Sequence, residues 1–469
     1  MTKYYITPND TIGNNDSDSI QSAVDLAKAQ GIHKVIIPRK NNRTNTFSWI
    51  ITKTIRLPSD MQIILDNCFM QMADDVVGGF FCSDNLFTER GTRLEDRMHD
   101  IHIRGEGNAV LDGGKPTVLN EETQQDLGIP VRLNTPIFFM NVEEFSVENI
   151  KILHQRYWGM RFQFCARGIV RNIFFDICRD RRNQDGINLR NGCHDILIEN
   201  ISGQTGDDMI ALSAIDSNTV PGSIFEKYDL IVKNHAWDIH DVTIRNISGA
   251  AIAHPLIAMR NHNGAKLYNI HIENIRDTEQ TQAAFGDEVD RYSLVTLGVN
   301  LYYKKPSVMG DTYNITIKDL YCKFSKCAIF TGSTIKNCRF SNIYASGVCK
   351  AVLSVQADNW GDDVYGVKME NVLLDGVFFD TDDKNASMLD FSFMREGDYI
   401  RNLVVTNVSA ETTKIFARIH KRCEQREIRK VNVYMPQLET DVAIVEPKEH
   451  KRADKKTKSF APTIKRRDL

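Results

Sequence analysis

No apolar run in the chain reaches the roughly 20 residues that a membrane-spanning helix needs. Its opening residues, MTKYYITPND, hold no hydrophobic segment and no small-residue cleavage site. No secretory signal is read there, and the cytoplasm is the expected location. Cysteines are present, but no two form a CxxC pair and none group with histidines at zinc spacing. They are expected to be reduced, buried thiols, with no metal and no cofactor. A dominant charge is missing as well: 58 Lys and Arg against 61 Asp and Glu give a formal net charge of -3. No global field points to nucleic acid or to a membrane surface, and neither is an expected partner. The apolar and charged fractions, 42% and 25%, leave no room for a largely disordered chain.

What the chain does have is a repeated phrase, a short alternating strand followed by Asn or Asp and an aliphatic residue. It occurs as Phe145–Ile150, Ile196–Ile201, Val242–Ile247 and Ile270–Ile275, with looser copies at Ile315–Leu320, Asn337–Ile343, Val367–Val372 and Leu403–Val408. Adjacent copies lie roughly 23 to 29 residues apart, or about twice that, which is the period of stacked supersecondary units. The L-x-x-L-x-L frame of leucine-rich repeats is absent. Strands rich in Ile and Val, with a polar residue between apolar ones, suit a coil with one face inside and one in water. The recurring Asn suits a left-handed turn, and stacked in register such side chains can hydrogen-bond along the ladder. The expected fold is an all-β parallel β-helix, with coils from near residue 50 to near residue 435.

Residues 16–31 read as a helix. Asp and Ser open it, Ile20, Ala23, Val24 and Ala27 recur at helical spacing, and Gly31 stops it before the strand Lys34–Ile37 and Pro38. It is a candidate cap for the open end of a solenoid, although an ordinary helix–strand unit would look the same. Residues 1–445 are read as one domain and 446–469 as a basic, poorly ordered tail. Segments 113–136, 213–236 and 277–292 break the pattern and are expected to be loops on the binding face.

The acidic motifs carry the chemistry. Asn183-Gln184-Asp185-Gly186 begins one coil, and Gly206-Asp207-Asp208 follows about one repeat later. Equivalent positions on adjacent coils stack at about 4.8 Å, so three carboxylates are expected to crowd on one face. Like charges that close disfavour joint ionisation, and one carboxyl should keep its proton near neutral pH. A protonated acid beside ionised carboxylates is what glycoside hydrolysis requires.

These motifs resemble the catalytic core of the polygalacturonases, glycoside hydrolase family 28, which carry N-T-D-G, G-D-D, G-H-G and R-I-K on successive coils of a right-handed parallel β-helix. Asn183 to Gly186 match the first motif with Gln for Thr, and Gly206 to Asp208 match the second. Tyr157 and Trp158 sit where that family has an aromatic residue, and Asp16 to Ala23 resemble its N-terminal D-x-x-x-I-Q-x-A phrase. The G-H-G is not intact. His254 takes its place, with His235, His240 and His262 as rivals, and R-I-K is missing.

The resemblance implies that Asp207 is the general acid and that Asp185 and Asp208 hold the attacking water. Substrate contacts are expected from Asn183, Tyr157, Trp158, Arg182 and Arg260. Arg260, or the cluster Arg179, Arg181, Arg182 and Arg190, would substitute for R-I-K or simply neutralise the aspartates. Inversion needs carboxyls about 6.5 to 9.5 Å apart, more than coil stacking alone provides, so the pair must splay.

Three functions compete on this reading. The first is an inverting glycosidase acting on an oligosaccharide of plant or microbial polysaccharide origin. The second is a polysaccharide lyase or epimerase, for which the aspartates would hold Ca²⁺. The third is a non-catalytic β-helix that binds glycan, and self-association into a homo-oligomer is left open.

Overall fold

The structure, a computed structural model, describes residues 4–446 except 75, 116–118, 121–124, 127–128, 131–133, 178–182, 216–236, 253, 263, 280–292, 299–306, 356–366, 395 and 424. Repeated alternating strands become a right-handed parallel β-helix with two parallel walls. One wall is built mainly of long strands, among them Val142–Leu153, Ala166–Asp176, His194–Thr205, Ile239–Ala251 and Leu267–Asp277. The other is built of short strands, including Met160–Gln163, Ile187–Arg190, Ile210–Ile215 and Ile257–His262. The stack reaches further than the repeat suggests. It begins at Lys34–Pro38, paired with Met61–Asp66, and ends at Thr440–Val445.

Each long strand bends at left-handed residues. Asn149, Asn172, Asn200, Asn246 and Asn274 all have φ between 56° and 60°, a conformation Asn tolerates better than most residues. In register, their amides form a continuous ladder: Asn172, Asn200, Asn246 and Asn274 each donate from Nδ2 to the Oδ1 of the preceding coil, at 2.7, 2.9, 3.0 and 2.9 Å. The expected turn and ladder are both present. The aliphatic residue after each Asn (Ile150, Ile173, Ile201, Ile247, Ile275) points inward and is buried.

One residue before each Asn, on the solvent side, runs a column of alternating sign: Glu148, Arg171, Glu199, Arg245, Glu273 and Lys318. Neighbours in it pair, Arg171 with Glu148 and Arg245 with Glu199 at 2.7 Å each, and Lys318 with Glu273 at 3.1 Å.

The helix forms over Asp16–Ala29. Its cap is Asn15, whose side chain accepts from the Asp18 backbone, and not the Asp and Ser expected to open it. Gly31, at φ 67°, lets the chain turn out of it. Ile20, Ala23, Val24 and Ala27 are fully buried against the first coil, as a cap requires. Asp16 is buried too, with Oδ2 accepting from the Ile50 amide and Oδ1 paired with Arg43. The segment 113–136 is not wholly irregular, because Leu119–Asn120, Gln125–Asp126 and Ile129–Pro130 form a small antiparallel sheet. Most of 213–236 and 277–292, and the tail from 447, lie outside the described residues. The described cysteines are all free and buried. Among the described residues no helix is long and apolar enough to cross a membrane.

Candidate active site

The acidic motifs occupy the segments that lead into consecutive short strands. Met160, Ile187, Ile210 and Ile257 are paired in register. Counting back from them places Trp158, Asp185 and Asp208 in one column and Tyr157, Gln184, Asp207 and His254 in the next. Backbone bonds hold the alignment: Gly159 N donates to Asp185 O at 2.8 Å, and Gly186 N donates to Asp208 O at 2.9 Å. The repeat offset is therefore met by Asp185 and Asp208, not by Asp185 and Asp207, which lie on a diagonal. Gly186 is required here, since a Cβ would stand 2.4 Å from the Met209 carbonyl oxygen on the next coil.

The three carboxyl groups differ in setting. Asp207 is the accessible member, with a side chain 15% exposed. Its Oδ1 accepts from the Asp208 amide at 2.8 Å and lies 3.1 Å from His254 Nδ1, while Thr205 Oγ1 donates to its carbonyl at 2.7 Å. Asp208 is almost fully buried and pairs through Oδ2 with Arg260 Nη2 at 2.6 Å. Burial pushes its carboxyl above the usual range, against the pull of the Arg260 charge and with the push of Asp207. Asp185 is buried as well. Burial first, then the charges of Asp207 and Asp208, push it well above the ordinary carboxylate value, with Arg260 opposing. Asp185 and Asp208, facing each other on consecutive coils, are therefore both inclined to keep a proton.

Among the described histidines, His254 is the one beside the aspartates. His240 stacks between His194 and Tyr268 on the outside of the long-strand wall. His262 is buried, and burial lowers its pKa to about 4. His235 lies outside the described residues, as do Arg179, Arg181 and Arg182. Arg260 faces Asp208, which fits the neutralising alternative. Arg190 instead lies over the Trp158 ring, 5.4 Å from its centroid. Asn183 is partly exposed and left-handed, with φ 59°.

Tyr157 and Trp158 stack on each other at 4.9 Å and are only 6% and 7% exposed. The sequence reading also missed Gln155 and Gln184. Gln184 Nε2 donates to the Gln155 carbonyl at 2.6 Å, and Gln155 Nε2 donates to the Asp185 carbonyl at 3.3 Å. Gln184, standing where the related motif has Thr, was the available signal. One coil beyond His254 the short strand Ser293–Leu297 contains no basic residue, consistent with the missing R-I-K.

Two groups among the described residues bring potential metal-ligand atoms within 4.8 Å of one another: Asp207, Asp208 and His254 here, and Asp60, His99 and Asp100 on the surface. In the first, Asp208 Oδ2 is already matched by Arg260.

Carboxyls on consecutive coils, two inclined to hold a proton and one open to solvent, suit attack on a glycosidic bond, and this frame is that of the glycan-acting right-handed parallel β-helix proteins. The chain belongs to glycosyl hydrolases family 28, whose pattern it matches over residues 97–391. Several solved structures share the fold. The tailspike protein of E. coli bacteriophage HK620, in complex with a pentasaccharide, aligns with TM-score 0.65 at 11% identity, covering 94% of this chain and 79% of the tailspike. An exopolygalacturonase from Thermotoga maritima aligns with TM-score 0.54 at 14% identity, covering 93% and 92%. The A-module of the Azotobacter vinelandii mannuronan C-5 epimerase AlgE4 gives 0.55 at 11%, covering 94% and 98%. No curated protein matches the sequence.

Proposed function

We infer that the chain is an inverting glycoside hydrolase that cleaves an oligosaccharide at Asp207, with Asp185 and Asp208 behind it. The observation that carries this reading is the division of labour among the three. Asp207 is the member a glycosidic oxygen can reach, while Asp185 and Asp208 are buried behind it and held above the ordinary carboxylate range. Asp207 gives the proton to the leaving oxygen. The carboxylates that remain orient a water on the opposite face of the sugar, and one of them takes its proton as the water attacks. His254, 3.1 Å from Asp207 Oδ1, orients the Asp207 carboxyl.

Arg260 is engaged with Asp208, and the described strand of the following coil, Ser293–Leu297, carries no cation to grip a uronate. This supports a substrate recognised chiefly through hydroxyl groups, with the carboxylate of a uronic acid not required. A cytoplasmic enzyme would meet such substrates as small imported oligosaccharides. The test is a panel of neutral and acidic oligosaccharides, with and without chelator, with the anomer of the first product read by NMR. Hydrolysis with inverted configuration and no chelator effect is expected. Unsaturated products, or activity abolished by chelator, would overturn the assignment in favour of elimination.

A further inference from the structure

The long-strand wall carries a second feature that the proposed reaction does not use. Register places Arg276, Tyr321, Tyr344 and Phe378 at one outward position on four successive coils. The Arg276 guanidinium lies 4.7 Å from the Tyr321 ring centroid, and Tyr321 stacks on Tyr344 with centroids 5.2 Å apart and planes 4° from parallel. The column stays open to water, with Tyr344 49% and Phe378 41% exposed. Tyr434 continues it beyond Ser409 and is 60% exposed.

The asparagine ladder runs beside this column and has a gap there. Register aligns Asn342, Gly376 and Asn407, so Gly376 stands where neighbouring coils carry an amide. Its φ of 69° keeps the ladder's left-handed bend. With no side chain at Gly376, a shallow depression opens between Asn342, Tyr344, Phe378, Asn407 and Asn432. Asn342 spends its amide on Asp319, and Asn407 turns its own to Asp375, each at 2.9 or 2.8 Å. Asn342 Oδ1 faces the gap, 3.0 Å from where a Gly376 Cβ would stand, and among the described residues no ladder amide donates to it.

We propose that this notch and its aromatic column form a glycan-docking site separate from the carboxylate site. Its ligand is a neutral pyranose unit, with the apolar ring face on Tyr344 and Phe378 and a hydroxyl donating to Asn342 Oδ1. No charged side chain lines the notch, which argues against an acidic sugar. A flat aromatic surface beside a bare acceptor is the complement of a sugar, with its apolar face and its rim of hydroxyls. A second copy of the chain fits less well. At these exposures and about 200 Å² per side chain, the three aromatics together offer roughly 300 Å², against about 800 Å² per partner in a stable interface.

The site stands or falls without reference to hydrolysis, so binding is its test. Calorimetry with xylohexaose and with cellohexaose is run on the full chain carrying Asp207→Asn, then with Gly376→Asn or Tyr344→Ala added. Gly376→Asn refills the ladder with the residue its other coils use, so it should fold at least as stably as its parent while closing the notch. Weak binding of at least one hexasaccharide is expected, reduced about fivefold or more by either added substitution. Cleavage of short substrates should be unchanged when Gly376→Asn is placed in the otherwise native chain. Equal affinity in all three proteins would overturn the proposal, as would no binding of either probe at millimolar concentration. So would a dimer in sedimentation that Tyr344→Ala dissolves, since the face would then belong to a second copy.

Discussion

The buried Asp208 is met at 2.6 Å by Arg260, whose side chain is partly exposed, next to the accessible carboxyl of Asp207. Breaking a buried pair from one side leaves an uncompensated charge, at a cost of about 3 to 5 kcal/mol. Arg260→Met should therefore lower the urea midpoint clearly and reduce activity, while Arg260→Lys should retain part of both. A melting curve for Arg260→Met that overlays the native one would show that Asp208 simply takes up a proton when left alone.

Asp207→Asn should abolish cleavage of natural oligosaccharides, by about 10² to 10⁴-fold for loss of a general acid. A nitrophenyl glycoside, whose leaving group needs little protonation, should lose much less. Equal loss on both substrates would place Asp207 on the water-activating side.

Asp185 provides a stability test with a definite sign. Its carboxyl is raised by burial in the folded chain, so the fold binds that proton more tightly than the unfolded chain does. The resulting stability is fully present below the unfolded value, about 3.9, and is lost as pH rises through the higher folded value. Asp185→Asn removes the penalty of the charged form. It should be inactive yet more stable than the native chain near pH 8, by about 1 kcal/mol, with the gain shrinking towards pH 4. Thermal melts at the two pH values decide the matter; a gain that grows on acidification would contradict the raised carboxyl.

The asparagine ladder predicts a dependence on position. Asn246→Ala removes a donor to Asn200 and an acceptor for Asn274, and forces Ala into a left-handed bend. A loss of about 2 to 3 kcal/mol is expected from the lost hydrogen bonds and the strain. Asn432→Ala, on the last long strand, forfeits only the bond to Asn407 and should cost less. Similar losses at both positions would mean that bend strain dominates and the amide bonds contribute little.

Much of this architecture could be read from the chain because its determinants are local. Alternation such as Val142 to Leu153 fixes which side chains face inward, and the recurring Asn fixes the bend. The pairing of the acidic motifs was harder to read. An offset counted between motifs is uncertain by a residue, and only the strand register of Ile187 with Ile210 shows that Asp185 lies opposite Asp208. The burial of Tyr157 and Trp158 was illegible for another reason: it depends on what covers an outward position, which alternation does not encode. The same holds for Gln155, which braces Asp185 from the preceding coil across 30 residues of sequence.

The column of alternating charge on the long-strand wall limits how such a chain can change length. Excising the coil of Arg171 would bring Glu148 against Glu199, and excising that of Glu199 would bring Arg171 against Arg245. Like charges facing each other at coil spacing are destabilising, whereas removing two adjacent coils restores the pairing. Between Glu148 and Lys318 the molecule therefore has a parity. Coils can be gained or lost there in pairs with little electrostatic penalty, and a protein shortened by one coil should be less stable than one shortened by two.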